Sequence, residues 1–538
     1  MKKQNVFLEV EQVLKGFSEE KEGEMSEYVL GIDGGTECVK SGIYDLKGNT
    51  LGISSSYYKT YHQHPGWAEQ KIEEWREGLV KSIKGAIKIS GIDPKDIIGV
   101  GHDATCCTVV FIDENNEPVR DAIIWMDVRA AEEAKFIESI NDPARKYNGY
   151  SNVSPEWFPC KNLWVKKNQP EVYKKSKVIA EYTDWLTYEL TGTWTIGIST
   201  ATIRGYYDNR NGGWQREFYE KIGLGDLFDK LPPKVYRLGE LVGGVTKDFA
   251  KKTSILEGTP VAQGAVDATA ASIGANAFSS GKVFMAAGSS TWIQINVDRE
   301  FHTKGLFGSY PDLVVDNFTL EGGQVSTGSV LKWFKSQFIN KEIEEEAEKR
   351  KLSIYNYMNT LAEKLSIGSE GLVIVEHWQG NRTPFTDPNS RGIIRGLSLK
   401  HSPVHIYRAI MEAVAYGTEA SLRIAKENNL DIFEIIAVGG HMNSKLWAQI
   451  YSDVTGLPIK KTTNPEATSL GAAILASVAS GKYKSVSEAA DKMVKFGEEV
   501  KPNMENYKKY KFFVEQYIKT YHSLKDEIRK TNEYINNF

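Results

Sequence analysis

At 538 residues the chain is longer than one hydrophobic core organises, so at least two large domains are expected. Its 41% apolar and 25% charged residues are those of a folded globular protein, and a formal net charge of -4 with no basic stripe argues against a nucleic-acid partner. Four cysteines, Cys38, Cys106, Cys107 and Cys160, make neither a disulfide framework nor a C-x-x-C metal motif, which points to a reducing cytoplasm.

Residues 1–27 are polar and acidic and read as an N-terminal extension. They hold no apolar leader, and no later run reaches the roughly 18 apolar residues of a membrane span. From Tyr28 the sequence Y-V-L-G-I-D-G-G-T-E-C-V-K predicts a buried strand, a Gly-Gly turn and a second strand. Trp75, Leu79, Ile83 and Ile87 then recur on one face of an amphipathic helix. A strand-like P-V-A-Q-G-A-V run ends at Asp267, which opens a helix of small residues. Lys282 to Val297 repeats the first device: strand, Gly-Ser-Ser-Thr turn, strand. Further helices are expected through Ile406, Ile410, Val414 and Gly417, and from Phe512 to Ile528. Between them a strand ends at Ala437-Val438, followed by Gly439-Gly440 and a helix bearing Asn443 and Trp447. Strands followed by helices mean layered α/β, with each half able to bury its own sheet.

The paired hairpins suggest chemistry. Successive backbone N–H groups in such turns form an anion-binding concavity, and hydroxyls of Thr36, Ser289, Ser290 and Thr291 add donors. One Gly-Gly hairpin alone is an ordinary tight turn; two facing ones could grip a polyphosphate.

Duplicated phosphate hairpins resemble those of the actin, hexokinase and Hsp70 superfamily, and from Tyr28 to Tyr510 the chain resembles the FGGY carbohydrate kinases. The likeness rests on Asp33 to Lys40, Gly264 to Gly274, Ala287 to Thr291 and Ala437 to Trp447. It rests also on Gly396-Leu397 followed by His405-Ile406. The family's Lys-x-x-Trp signature is kept at Lys161 and Trp164 but broken at Glu156, Phe158 and Asn162. Ser154 to Phe158 and the H-W-Q-G-N-R-T-P run from His377 look like the ribulokinase branch, whose members phosphorylate pentuloses.

The resemblance implies an α/β fold of two ribonuclease H-like domains flanking a central cleft: 28–275 for sugar and base, 276–510 for ATP, and a helical tail over 511–538. It implies ATP and Mg2+ as cofactors and a small sugar as partner; the oligomeric state stays open, a homodimer included. Asp267 would be the catalytic base, although Asp also caps helices well. Asp33 with Asp267 would hold Mg2+, although Asp33 could merely satisfy its turn. Lys40 would approach the transferred phosphate or remain a solvated strand lysine. Gly34, Gly35, Thr36, Gly288, Ser289, Ser290, Thr291, Gly328, Gly439, Gly440 and Asn443 would hold the nucleotide.

For the sugar, Asp103-Ala104-Thr105 is similar to the D-[AS]-T of ribulokinases, with Asp103 alternatively a turn residue. Trp157 would stack on the sugar, Glu321 and Gln324 match E-[AG]-G-Q, and Arg204 stands where ribulokinases place a lysine, which a guanidinium does not replace conservatively. Trp125 and Asp127 fall near the sugar in the family, Trp125 reading as core. Xylulose, erythritol or glycerol kinases are alternatives within the family. An actin- or Hsp70-like ATPase is the alternative from another class, and fold by itself does not separate it.

Overall fold

The computed structural model describes residues 26–150 and 152–535; the extension read from the sequence lies outside the described residues as far as residue 25. In the first half, β1 (Tyr28–Gly34), β2 (Cys38–Asp45) and β3 (Thr50–Tyr57) form an antiparallel meander. Helix α1 (Ile72–Ser90) follows, with acidic Glu73 and Glu74 in its first turn, Lys88 in its last and a left-handed Gly91 ending it. Its Trp75, Leu79 and Ile83 face the sheet, as the four-residue spacing requires. β4 (Ile97–Ala104) then lies parallel to β1. Helix α2 (Phe158–Asn168) belongs to an inserted layer with its own aromatic core. β5 (Leu241–Gly244), β6 (Pro260–Ala262) and β7 (Ala265–Val266) complete a sheet of order β5-β6-β4-β1-β2-β3, with β7 also paired to β4. Helix α3 (Asp267–Gly274) leaves directly from β7.

The second half repeats the plan. β8 (Lys282–Ala287), β9 (Thr291–Val297), β10 (Phe307–Pro311) and β11 (Phe318–Gln324) are antiparallel neighbours. After α4 (Gly328–Phe338) and α5 (Pro403–Glu427), β12 (Glu434–Val438) runs parallel to β8. Helix α6 (Lys445–Thr455) leads to β13 (Ile459–Lys461), giving the order β10-β11-β9-β8-β12-β13. A meander with a parallel strand beside its first member thus occurs twice.

The halves do not bury their sheets separately, contrary to the expectation above. Alternation along β1 sends Leu30 and Ile32 towards α1, and Val29 and Gly31 to the opposite face. That face is covered by α7 (Ala467–Ala479), which comes from the far end of the chain. A Cβ at Gly31 would stand 2.0 Å from the Ser469 carbonyl oxygen, and one at Gly101 2.0 Å from that of Ala472, so glycine is what lets the helix seat. α7 also crosses α3 at a similarly close approach: a Cβ at Gly471 would stand 1.9 Å from the Ala270 carbonyl oxygen.

The tail expected to begin at 511 is part of a longer helix, α8 (Met504–Ile535), so the boundary drawn there cuts through one element. Its Tyr510, Val514, Tyr517 and Tyr521 are buried in the core of the second half. The Tyr510 hydroxyl donates to Glu412 (3.0 Å) and that of Tyr517 to Glu376 (3.1 Å), which fixes the helix. Among the described residues no helix is long and apolar enough to cross a membrane.

Candidate active site

Strand register gathers three carboxylates. Asp33 stands opposite Lys40 in the first hairpin and beside Asp103 on β4, while β7 pairs its Ala265 with Asp103 and delivers Asp267 two residues later. Burial, supplemented by the charges of Asp33 and Asp267, pushes the Asp103 carboxyl well above its ordinary range. Among the described residues no amide, hydroxyl or amine donor reaches either Asp103 oxygen. Burial also raises Asp33 to about 6, against the pull of Lys40. Asp267 rises to about 7, again through burial, although the Ala268 amide donates to its Oδ1 at 2.7 Å. The Lys40 ammonium pairs with Glu466 at 2.6 Å, at the N-terminal end of α7. Among the described residues no group of three or more His, Cys, Asp or Glu side chains forms a metal cage.

The second hairpin turn is built differently. Gly288, Ser289 and Ser290 are exposed, and the turn is pinned from behind: the amides of Thr327 and Ser329 donate to the Ser289 carbonyl, and that of Gly328 to Gly288 (3.1 Å). Pairing of Ala286 with Val438 sets Gly439 and Gly440 beside this turn. Gly439 adopts φ 101, and a Cβ there would stand 2.4 Å from the Ala287 carbonyl oxygen, so only glycine fits. Asn443 is exposed in the next turn and accepts from Lys461 at 3.0 Å.

Between the halves lies a cavity of about 550 Å³. Thr36, Thr105, Trp157, Arg204, Asp267, Ser290 and Glu321 all line it. Arg204 follows the short helix Ile198–Thr202 in a left-handed conformation (φ 66), a strained state for a side-chain-bearing residue. Its guanidinium donates to the Tyr310 hydroxyl and to Glu321 Oε1, and lies 5.3 Å from the Trp157 ring centroid. Burial opposes that charge, while Glu321 and Tyr310 hold it in place.

Comparison with known proteins decides the family. The N-terminal-domain model of the FGGY family of carbohydrate kinases matches residues 28–274, and its C-terminal-domain model matches residues 283–480. The chain belongs to this FGGY family. A ribulokinase of Geobacillus thermodenitrificans is 31% identical over 529 residues, covering 91% of this chain and 93% of the relative. A xylulose kinase of Staphylococcus epidermidis is 29% identical over 502 residues, covering 93% and 97%. Among solved structures, the xylulose kinase of Rhodospirillum rubrum superposes with a TM-score of 0.84 at 22% identity, covering 93% of this chain and all of that one. The fold is accordingly that of two ribonuclease H-like domains, and membership of a kinase family implies ATP as a substrate.

Within this carbohydrate kinase several expectations change. Asp103 does not line the cavity; it is fully buried beside Asp33, its register partner on the neighbouring parallel strand. Gln324 is also turned away from the cavity. Its amide donates to Glu376 (2.8 Å) and the Val414 carbonyl (2.9 Å) and accepts from Thr418, in a space that only Gly417 leaves open. The Thr291 hydroxyl turns inward to Thr327 at 3.1 Å rather than outward with Ser289 and Ser290. Trp125 is not core: it is 38% exposed on the cavity wall, its indole N–H donating to Thr36 at 2.9 Å. Asp127 is buried and paired with Arg129 at 2.7 Å.

Sequence reasoning passed over Asn152, Glu156, Trp292 and Arg382 as cavity residues. Glu156 and Arg382 lie inside segments singled out for their resemblance, which was the available signal. Asn152 and Trp292 carry none. Lys161, at the kept family signature, is buried with its ammonium donating to the carbonyls of Cys107 and Ile124, both at 2.7 Å. It therefore joins two segments of the cavity wall.

Proposed function

We propose that this kinase transfers the terminal phosphoryl group of ATP to a hydroxyl of a ketopentose, most nearly a ribulose, with Asp267 as the base. The observation that carries this reading is that Asp267 lines the same cavity as the exposed Ser290 turn and the Arg204–Glu321 pair. Phosphoryl transfer needs in-line positioning, charge neutralisation and a proton acceptor. Asp267 takes the proton of the attacking hydroxyl, the new O–P bond forms as the bond to the leaving ADP oxygen breaks, and Asp267 then releases that proton to solvent, one per turnover.

The region 276–510 holds the nucleotide: Gly288, Ser289 and Ser290 face the phosphates, Thr291 and Gly328 brace their turn, and Gly439, Gly440 and Asn443 face the nucleoside. On the opposite side Gly34, Gly35 and Thr36 complete the grip. Asp33 and Asp267 fit a magnesium ion, which takes few carboxylates and keeps its waters. Asp103, a buried third carboxyl beside Asp33, is pushed up by burial and by the charges of Asp33 and Asp267, a crowding of acids that a cation would relieve. When bound, the ion neutralises phosphate charge. Lys40 exchanges Glu466 for the transferred phosphate.

The region 28–275 supplies most of the sugar site: Thr105, Trp125, Trp157 and Arg204, with Glu321 reaching in from the other half. Asp103 supports Asp33 beside it, and Gln324 packs with Glu376 in the core. The ribulokinase and xylulose kinase relatives are both consistent with a pentulose. Measuring ADP release with L-ribulose, D-ribulose, D-xylulose, erythritol, glycerol and no sugar tests this. Equal ADP release without sugar would overturn the reading.

A further inference from the structure

The loop after β4 carries two adjacent cysteines that the phosphoryl-transfer chemistry does not use. Cys106 and Cys107 both line the cavity, and their sulfurs lie 3.4 Å apart. Cys107 holds a left-handed backbone conformation (φ 57), fixed from both sides: its amide donates to Glu181 at 2.6 Å and its carbonyl accepts from Lys161 at 2.7 Å. We propose that Cys106 and Cys107 form a reactive vicinal dithiol which peroxide closes into a disulfide, blocking the sugar cavity.

The two thiols are differentiated. A hydrogen bond from Cys106 lowers the Cys107 thiol against its burial, and the Lys161 ammonium and Arg204 guanidinium lower it further. The same hydrogen bond, then burial, raises the Cys106 thiol. Cys107 is therefore the attacking sulfur and Cys106 the resolving one. The Cys107 thiolate attacks one peroxide oxygen, the O–O bond breaks to give a sulfenic acid and hydroxide, and the hydroxide takes up the proton the thiol released, leaving as water. The Cys106 sulfur then displaces water from the Cys107 sulfur. In sum, two thiols and one hydrogen peroxide give one disulfide and two waters.

Such a bond is easily reversed. Neighbouring Cα atoms stand about 3.8 Å apart across a trans peptide, closer than the roughly 4.4 Å minimum of an unstrained disulfide. Strained, accessible disulfides are the readily reduced ones. Closure draws the sulfurs together from 3.4 Å. It moves a loop that begins at Thr105 and is tied through Lys161 to the carbonyls of Ile124 and, at 3.4 Å, Trp125. Two parts of the cavity wall therefore shift together. The blockade rests on the reading of this cavity as the sugar site.

The experiment treats the intact enzyme with hydrogen peroxide, with and without saturating pentulose, followed by alkylation, peptide mass mapping and ADP assay. The peptide bearing Cys106 and Cys107 should lose two hydrogens and resist alkylation, and kcat/KM for the sugar should fall at least ~10-fold. Dithiothreitol should restore both, and pentulose should slow the oxidation. In Cys106→Ser the same peptide should gain one oxygen at Cys107, trappable by dimedone, and should not lose two hydrogens. Both cysteines remaining alkylatable in the wild type, or Cys107 pairing with Cys160 instead, would overturn the dithiol while leaving the sugar assignment standing. A disulfide that forms without lowering kcat/KM and without protection by pentulose would overturn the blockade and the assignment of this cavity to the sugar.

Discussion

Arg204 donates to Glu321 across the cleft, joining the first half of the chain to the second at the cavity both residues line. Because a guanidinium presents a planar fork where an ammonium presents a point, Arg204→Lys should move relative kcat/KM among pentuloses. A shift of about tenfold or more in the ratio of L-ribulose to D-ribulose is expected. An arginine that only supported the fold would lower Tm and leave the ranking of substrates unchanged.

Asp267→Asn should keep nucleotide affinity and lower kcat by about 10² to 10⁴, since an amide cannot take the hydroxyl proton. Binding of an ATP analogue by calorimetry and kcat by ADP release separate the two effects. A loss under about tenfold removes Asp267 from the role of base.

The same carboxyl sets a pH dependence. Asp267 must be ionised to accept a proton and sits at about 7, so kcat/KM should rise with pH through that value and level off above it. A bound cation favours the ionised form, so kcat should titrate lower than kcat/KM. A flat kcat/KM between about pH 6 and 8 would contradict the assignment.

Stability responds with the opposite sign. Asp267 has its carboxyl raised from 3.8 to about 7 by folding, so its favourable contribution is complete below 3.8 and is lost as pH rises through 7. Asp267→Asn should therefore raise Tm at pH 8 relative to wild type, and the difference should vanish near pH 4. Thermal melts at the two pH values decide it.

The crossing of α3 and α7 leaves no room for a methyl group at Gly471. Gly471→Ala should cost about 1–3 kcal/mol by forcing the helices apart, lowering Tm. It should also alter the compaction that sugar with a non-hydrolysable ATP analogue produces in small-angle scattering. Wild-type Tm and scattering in this variant would show that the crossing adjusts freely.

Much of the molecule was legible because local pattern and local structure coincide. Four-residue spacing placed Trp75, Leu79 and Ile83 on the buried face of α1, and glycine turns placed both hairpins. The run into Asp267 marked the strand-to-helix passage that delivers it to the cavity. Those features depend on backbone preferences within a few residues, and the sequence by itself determined them, together with the family through its ordered motifs.

Other features depend on partners distant in the chain, and only the tertiary structure decided them. The D-A-T and E-G-G-Q motifs name residues of the right type, yet register set Asp103 beside Asp33, and Gly417 drew Gln324 into the core. Trp125 reads as core because it is aromatic, but an opposing Thr36 hydroxyl holds it at the cavity. The covering of the first sheet by α7 was equally hidden. Its signal is divided between glycines of β1 and β4 and a small-residue helix near the other end of the chain, and neither part shows a periodicity that points to the other. Sequence spacing fixes which side chains share a strand or helix face; which foreign surface meets that face is a long-range packing choice, made only when the whole chain closes on itself.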